Sequence, residues 1–210
     1  MQLPTDGFQY TNQMHPYYDV ARTKPYVDIG NTIRSLPNAC HEAPIFEYGP
    51  SNGVIRSAFP EEAQFMVRNW PEVDCMRQDY PPNSFSAIIA DYTLEHVSHP
   101  WKTAQASYDM LVPGGMAIYT THWMFPDHTG DQEEDYYRYS PKGLRCLFDM
   151  FSNVITGYWG DAHLAGKFIE EYSKGNDRMY ENLFPEYSSK QIYDAADRLY
   201  CVSTWVVAVK

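Results

Sequence analysis

Two histidines and two carboxylates share the short segment at 122–131. His122, Asp127, His128 and Asp131 follow directly on an apolar run. Imidazole and carboxylate side chains could act there as acid and base, or could ligate a metal ion. His122 comes immediately after the apolar run and is the leading candidate for a general base, with His128 behind it. Metal binding requires side chains that converge on one point, which spacing alone does not establish, so no metal is assigned.

The segment before these residues predicts the strands that position them. Residues 85–90 are mostly apolar and of strand length, which is typical of a strand buried on both faces, and polarity returns at Asp91. Residues 101–111 have helical periodicity, and Pro and Gly at 112–115 end that helix. The apolar run at 116–121 is a second buried strand. A strand, helix and strand in this order predict a right-handed parallel pair, and loops at the carboxyl edge of such a sheet carry binding and chemical groups.

Three stretches of this region resemble a known family. The residues NSFSAIIADYTLEHV at 83–97 and LVPGG at 111–115 resemble class I S-adenosylmethionine-dependent methyltransferases, in particular the small-molecule type with a LEHV element. The segment DYYRYSPKGLR at 135–145 is similar to one found in that type after the fifth strand. The resemblance covers roughly residues 44–160. His96 belongs to the helix-opening element and is more often structural, so it is the third candidate for a base.

The resemblance implies S-adenosylmethionine as cofactor and methyl transfer to a small organic acceptor. It also implies that the first motif, Glu-x-Gly-x-Ser-x-Gly at 47–53, holds the cofactor, although Ser51 stands where the family usually has Gly. An acidic residue normally ends the second strand and binds the ribose hydroxyls, whereas this chain has Arg68 and Asn69. By the resemblance, the cofactor-binding candidates are Glu47, Gly49, Ser51, Gly53, Asn69, Asp79, Tyr80, Asp91 and Tyr92.

The fold expected from the resemblance is α/β: a single-domain Rossmann-like methyltransferase fold with a mostly parallel sheet and an antiparallel last strand. The connection between the second and third strands is too short for the usual helix. The further elements predicted are strands at 63–69, within 70–80, at 151–158 and at 200–209, and helices at 54–59, 142–150 and 164–174.

The first 43 residues are predicted to form a lid-like segment before a cofactor-binding domain at 44–210. Four prolines favour irregular structure there, with short helical pieces at 17–22 and 31–36. Similar enzymes often fold such a segment over cofactor and acceptor, so the substrate-binding candidates include its tyrosines, although packing against the sheet edge is an equal alternative. Arg138 could pair with Asp127 or Asp135 to shape the acceptor pocket, or could form a solvated salt bridge. The substrate-binding candidates are Tyr17, Tyr18, Tyr26, Trp123 and Arg138.

Composition limits the classes of partner. The chain has 210 residues, 44% of them hydrophobic, which fits one domain with a sizeable core. A net charge of −11 opposes binding to nucleic acid. We expect a soluble cytoplasmic protein, because no apolar run is long enough to span a bilayer and the start lacks the features of a signal peptide. Four cysteines without a CxxC pair indicate neither a zinc site nor a disulfide framework. The 18 tyrosines suit either a ligand pocket or a subunit interface, so a homodimer stays open.

Two rival hypotheses remain at this point. The missing acidic residue after the second strand and the presence of Ser51 allow a binding or scaffold protein that kept the fold but lost methyl transfer. The segment at 122–131 allows a metal-dependent enzyme of another class.

Overall fold

One six-stranded sheet organises the molecule. The computed structural model describes residues 16–36, 43–49, 53–127, 134–174 and 199–210. The strands are β1 (Ile45–Tyr48), β2 (Phe65–Arg68), β3 (Phe85–Ala90), β4 (Leu111–His122), β5 (Asn153–Trp159) and β6 (Ser203–Val209). The helices are α1 (Pro16–Ser35), α2 (Gly53–Arg56), α3 (Pro100–Met110), α4 (Pro141–Leu147) and α5 (Ala162–Ser173), with a 3-10 turn at Leu94–His96. None of the helices in these ranges is long and apolar enough to cross a membrane.

The strand order in the sheet is β2-β1-β3-β4-β6-β5. The pairs β1–β2, β1–β3 and β3–β4 are parallel, and β6 runs antiparallel to both of its neighbours, β4 and β5. The predicted α/β fold with an antiparallel last strand is therefore confirmed. β1 lies between β2 and β3, so the chain leaves β1 toward one side of the sheet and later returns to its other side.

The core has two layers, one on each face of the sheet. All six residues of β3 are buried, as its apolar sequence predicted. Ile88 and Ala90 pack with α3 and α4, whereas Ala87 and Ile89 pack with α1 and α2. A strand covered on both faces needs apolar side chains at successive positions, which is why residues 85–90 do not alternate with polar ones.

The region before β1 differs from its prediction. Pro16–Ser35 forms one continuous helix in place of two short pieces, with Pro25 inside it. Tyr26, Ile29 and Ile33 lie on one face of this helix and are buried against the sheet. Burial of these three side chains outweighs the hydrogen bond that Pro25 cannot donate.

The strand predicted within 70–80 is wrong, because these residues form turns. The backbone N–H of Asp74 donates to Asp79 Oδ2 at 3.0 Å, and the N–H of Met76 donates to Asp74 Oδ1 at 2.9 Å. Side-chain acceptors of this kind offer the backbone an alternative to a sheet ladder. The chain thus passes from β2 to β3 through a compact loop, as its length required.

Gly157 tests the contact between β5 and β6. A Cβ atom added at Gly157 would lie 2.2 Å from Cζ2 of Trp205, a side chain that is 5% exposed. We expect Gly157→Ala to lower the free energy of unfolding by about 1–3 kcal/mol in urea denaturation, because the indole or the strand must shift. Gly166→Ala on α5 is the matched control, since no atom lies within 4 Å of its added Cβ. If neither Gly157→Ala nor Gly166→Ala lowered the free energy of unfolding, the placement of Trp205 would be contradicted.

Candidate active site

A cavity of about 730 Å³ opens at the carboxyl ends of β1, β2 and β3. Its volume lies within the range of small-molecule sites, roughly 300–1,000 Å³. The position is the point where the strand order reverses around β1, and open α/β sheets bind ligands at such points. Gly49, Asn69, Asp91, Tyr92 and His96, all predicted site residues, line it.

Gly49 directly follows β1 in a conformation that brings its backbone to the cavity wall. Its φ is +77°, in the left-handed region that glycine adopts without strain. Its N–H donates to the carbonyl oxygen of Arg68 at 2.8 Å, which joins the ends of β1 and β2. A Cβ atom at this position would lie 3.3 Å from Oδ1 of Asn69. The structure therefore places Gly49 and Asn69 side by side, with backbone accessible to a ligand between them.

Asp91 and Tyr92 follow β3 and are held by β4 and β6. Thr120 Oγ1 donates to Asp91 Oδ1, and the Tyr92 N–H points to Thr120 O at 3.1 Å. Tyr92 has φ +46°, which is uncommon for a residue with a side chain and is found often at functional sites. Its hydroxyl hydrogen-bonds Ser203 Oγ at 2.7 Å. These bonds fix a carboxylate and an aromatic ring at the cavity wall.

Glu47 does not line the cavity. Its carboxylate is fully buried and accepts hydrogen bonds from Nε and Nη2 of Arg56. Because Glu47 lies in β1 and Arg56 is the last residue of α2, their ion pair connects the strand to that helix. Gly53 begins α2, and Ser51 lies outside the described residues. Glu47 thus joins β1 to α2 and does not reach the cavity.

Asp79 and Tyr80 are also not brought to the cavity. Asp79 accepts the Asp74 N–H, and the Tyr80 ring packs between Phe46 and Phe85 at centroid distances of 5.1 and 5.2 Å. The carboxylate that this loop contributes to the wall is Asp74. The sequence predicted a strand in this loop and placed the cofactor-binding carboxylate at its end, at Asp79. The residue that lines the cavity, Asp74, comes earlier in the chain.

Other residues of the wall were not among the candidates named from the sequence. Trp70 and Cys75 come from the same loop, and Tyr136 comes from the segment before α4. Burial raises the pKa of the Cys75 thiol to about 11, and Thr103 Oγ1 donates to its sulfur at 3.7 Å. Cys75 is therefore a neutral thiol at neutral pH and contributes to the shape of the cavity.

The three candidate bases have different positions. His96 lines the cavity, and its Nδ1 lies 3.0 Å from the carbonyl oxygen of Glu134. His122 is the last residue of β4 and lies behind Tyr92, with the two ring centroids 4.4 Å apart. Its ring also stacks on Phe125 at 4.2 Å. His128 lies outside the described residues.

Among the candidate substrate-binding residues, Tyr26 and Trp123 are not brought together. Tyr26 is fully buried in the apolar layer between α1 and the sheet. Tyr17 and Tyr18 lie in the first turn of α1. The Trp123 N–H donates to Val202 O at 2.8 Å, next to the end of β6. The described wall of the cavity contains neither Tyr26 nor Trp123, and the lid role stays a prediction for the tyrosines.

Arg138 forms a structural clamp beside the cavity. It pairs with the carboxylate of Asp135 through both Nη atoms. Its Nε donates to Phe125 O at 2.7 Å, and Nη2 donates to Pro126 O at 2.6 Å. Arg138 therefore connects the chain before residue 128 to the chain after residue 133. The ion pair with Asp135 was one of the two that the sequence suggested.

The metal hypothesis has no support in the described ranges. No group of three or more His, Cys, Asp or Glu side chains able to hold a metal ion occurs there. His128 and Asp131 of the proposed ligand set lie outside these ranges.

Solved structures share this architecture. Phosphoethanolamine N-methyltransferase 2 of Haemonchus contortus, in complex with phosphomonomethylethanolamine and S-adenosylhomocysteine, superposes with a TM-score of 0.52 at 14% identity. The match covers 95% of this chain and 59% of the Haemonchus enzyme. An S-adenosylmethionine-dependent methyltransferase from Archaeoglobus fulgidus gives 0.51 at 9% identity, over 92% of this chain and 98% of that one. This chain has the class I methyltransferase fold. Loganic acid methyltransferase with S-adenosylhomocysteine gives 0.50 at 10% identity, over 90% and 94% of the two chains.

The methyltransferase fold confirms the resemblance seen in the sequence at the level of architecture. No protein-family model matches the chain, and no curated protein matches its sequence. The chain spans about 59% of the length of the Haemonchus enzyme.

Proposed function

We propose that the chain binds S-adenosylmethionine in the cavity at the ends of β1, β2 and β3 and transfers its methyl group to a small organic acceptor. The observation that carries the proposal is the position of this cavity of about 730 Å³ at the strand-order reversal of a methyltransferase fold. The complexes of similar fold with S-adenosylhomocysteine support it. A net charge of −11 favours a small acceptor over nucleic acid.

The wall residues fit the parts of this cofactor. The exposed backbone at Gly49 allows close approach of the methionine end, and the Asn69 amide can hydrogen-bond ribose hydroxyls in place of the usual carboxylate. Asp74 can accept from the adenine amino group, the role that the sequence gave to Asp79. The carboxylate of Asp91 lies at the same wall and favours a cationic ligand. The cofactor supplies a methyl group on a positively charged sulfur with a neutral leaving group.

The chain contributes alignment, exclusion of water and removal of a proton where the acceptor carries one. Tyr92 is fixed by its hydroxyl and by its backbone, so its ring forms a rigid part of the wall. His96 is in the wall and His122 lies directly behind Tyr92. We assign proton removal to His96, which lines the wall, with His122 as the alternative.

The scaffold hypothesis keeps one specific observation in its favour. The end of β2 has no acidic side chain, because Arg68 is exposed and Asn69 is uncharged. A hydroxyl bound by a neutral amide is held less tightly than one bound by a carboxylate. Calorimetry with S-adenosylmethionine separates the two functions, since a scaffold that lost the cofactor shows no heat of binding at millimolar concentration.

Gly49→Val tests the location of the site. A side chain there meets Asn69 and narrows the backbone wall, so we expect the affinity for S-adenosylhomocysteine to fall about 30-fold, equivalent to about 2 kcal/mol. Isothermal titration calorimetry measures it, and Gly166→Ala on α5 is the matched control with unchanged affinity. Asn69→Ala is a milder variant that keeps the backbone of Gly49 unstrained, with an expected loss of about fivefold. Unchanged affinity in both cavity variants would show that the ligand binds elsewhere.

A further inference from the structure

The wall of the cavity carries negative charge. Three of its described residues have a carboxylate, namely Asp74, Asp91 and Glu134, and none of the described wall residues is a lysine or an arginine. The stretches 50–52 and 128–133, which adjoin wall residues in the chain, contain no lysine or arginine either, and 128–133 contains two more acidic residues. A ligand with a phosphate or carboxylate group would therefore meet no cationic side chain at the described wall, whereas a ligand with an ammonium group meets carboxylates.

The three carboxylates are not equally available to a ligand. Asp74 lies 3.5 Å from Nε of Arg77, so part of its charge is offset. Asp91 accepts a hydrogen bond from Thr120. Glu134 is exposed, and its carboxylate has neither a hydrogen bond nor an ion pair within the part of the chain that the structure describes. Glu134 is therefore the wall carboxylate most available to bind a cation.

Two exposed aromatic side chains line the same cavity. Trp70 is 73% exposed and Tyr136 is 44% exposed. The face of such a ring attracts a cation that lies within about 6 Å of the ring centre, and ammonium ligands are recognised in this way. The wall thus offers a cation both carboxylates and ring faces.

Glu134 and Tyr136 belong to a segment that is fixed against the 3-10 turn between β3 and α3. The Tyr136 N–H donates to the carbonyl oxygen of Glu95 at 2.7 Å. Nδ1 of His96 lies 3.0 Å from the carbonyl oxygen of Glu134. The side chain of Glu95 anchors the turn to β4, because it is fully buried and accepts a hydrogen bond from Thr121 Oγ1 at 2.8 Å. Glu134 and Tyr136 are therefore held together at the wall, beside His96.

We propose that the acceptor is an amine that is cationic at neutral pH, that Glu134 and Tyr136 recognise it, and that its nitrogen takes the methyl group. This inference rests on the proposed methyl transfer and narrows its acceptor to one chemical class. The charge of the described wall excludes acceptors that depend on a phosphate or carboxylate group for binding.

The wall also suits the charge changes of N-methylation. A carbonyl oxygen only accepts hydrogen bonds, so Nδ1 of His96 carries a hydrogen and Nε2 is the basic nitrogen, which takes one proton from the bound ammonium. The amine then has a lone pair with which to form the N–C bond, while the C–S bond breaks and the sulfur keeps the electron pair. Positive charge passes from sulfur to nitrogen, where the carboxylate of Glu134 stabilises it.

Four matched probes test the charge preference of the cavity. Benzylamine, benzyl alcohol, benzoate and benzyl phosphate share one ring and differ in charge. Their dissociation constants are measured by ligand-observed NMR on protein saturated with S-adenosylhomocysteine. We expect benzylamine to bind at least about tenfold more tightly than benzoate or benzyl phosphate. Equal or tighter binding of either anion, or no binding of benzylamine, overturns the proposal.

Variants of the two recognition residues locate the effect. In Glu134→Gln the affinity for benzylamine should fall about fivefold while that for benzyl alcohol stays unchanged. Tyr136→Leu should lower the affinity for benzylamine about threefold, whereas Tyr136→Phe keeps the ring and should leave it unchanged. Glu62→Gln is the matched control, because Glu62 is exposed and does not line the cavity. Wild-type affinity for benzylamine in Glu134→Gln or in Tyr136→Leu would refute the proposed recognition.

Product analysis and calorimetry complete the test. With S-adenosylmethionine, mass spectrometry should show N-methylbenzylamine and no benzyl methyl ether, and formation of the ether alone would exclude nitrogen as the methylated atom. A protein that binds S-adenosylhomocysteine without preferring benzylamine keeps the proposed function and loses this inference. A protein that binds no cofactor loses the proposed function, and the four probes on the cofactor-free protein still decide whether the wall selects cations.

Discussion

Replacing Arg56 with methionine should lower the free energy of unfolding by about 3–5 kcal/mol. Glu47 has no exposed side-chain surface, and Arg56 binds it through two nitrogens. The same guanidinium lies over the ring of Phe65 at 4.9 Å, a contact that methionine replaces only in part. A buried carboxylate deprived of its guanidinium keeps its desolvation penalty without the attraction that offset it. Urea denaturation at neutral pH measures the loss.

The double variant Glu47→Gln/Arg56→Met separates the buried charge from lost packing. Because the double variant has no buried carboxylate, it should be more stable than Arg56→Met alone. Arg34→Met is the matched control, since the Arg34 guanidinium hydrogen-bonds the exposed Asn31 of the same helix at 3.4 Å, and it should change stability by less than about 0.5 kcal/mol. A double variant less stable than the single one would refute the role of the charge.

The Arg56→Met variant should also affect ligand binding in the cavity. The pair Glu47–Arg56 connects β1 to α2, and Gly49 lies between these two residues in the chain. Without this connection the backbone of Gly49 is held less firmly at the wall, so the affinity for S-adenosylhomocysteine should fall together with stability. Glu47 would then support the site from outside the cavity. The resemblance of the first motif, taken alone, had placed Glu47 in contact with the ligand.

The fold was predictable wherever local sequence and burial agree. β3 and β4 are continuous apolar runs that need both faces covered, and β6 has the β-branched and aromatic residues that favour strands. The continuous helix α1 was missed because Pro25 suggests a break. The helix continues through Pro25 because Tyr26 and Ile29 are buried against the sheet. Their partners there are distant in the sequence, so the local pattern does not show this contact.

The site was predictable only where a residue directly follows a strand. Gly49, Asn69, Asp91 and Tyr92 come to the cavity because the carboxyl ends of parallel strands meet at one edge. Asp74 lies in the wall because the carboxylates of Asp74 and Asp79 accept hydrogen bonds from backbone amides and so fold the connecting loop into turns. Hydrophobic periodicity does not predict such turns. Glu95 was missed for another reason. It precedes a histidine in a recognisable element, and only the tertiary structure shows that its own carboxyl is buried against β4.

The stability of the wild-type protein should fall, relative to Glu95→Gln, as pH rises from 5 to 8. Burial raises the pKa of Glu95 from its ordinary value of 4.5 to about 8. Within this window the unfolded chain has lost the proton that the folded chain keeps, so the folded state binds more protons and loses stability as pH rises, by at most about 1.4 kcal/mol per pH unit. Glutamine has no proton to lose. The two unfolding free energies should therefore diverge by about 2–5 kcal/mol in favour of Glu95→Gln and then stay parallel above pH 8.

Urea denaturation at one-unit intervals from pH 5 to 9 measures this divergence. Parallel curves across the whole range would mean that the Glu95 carboxyl is solvated in the folded protein.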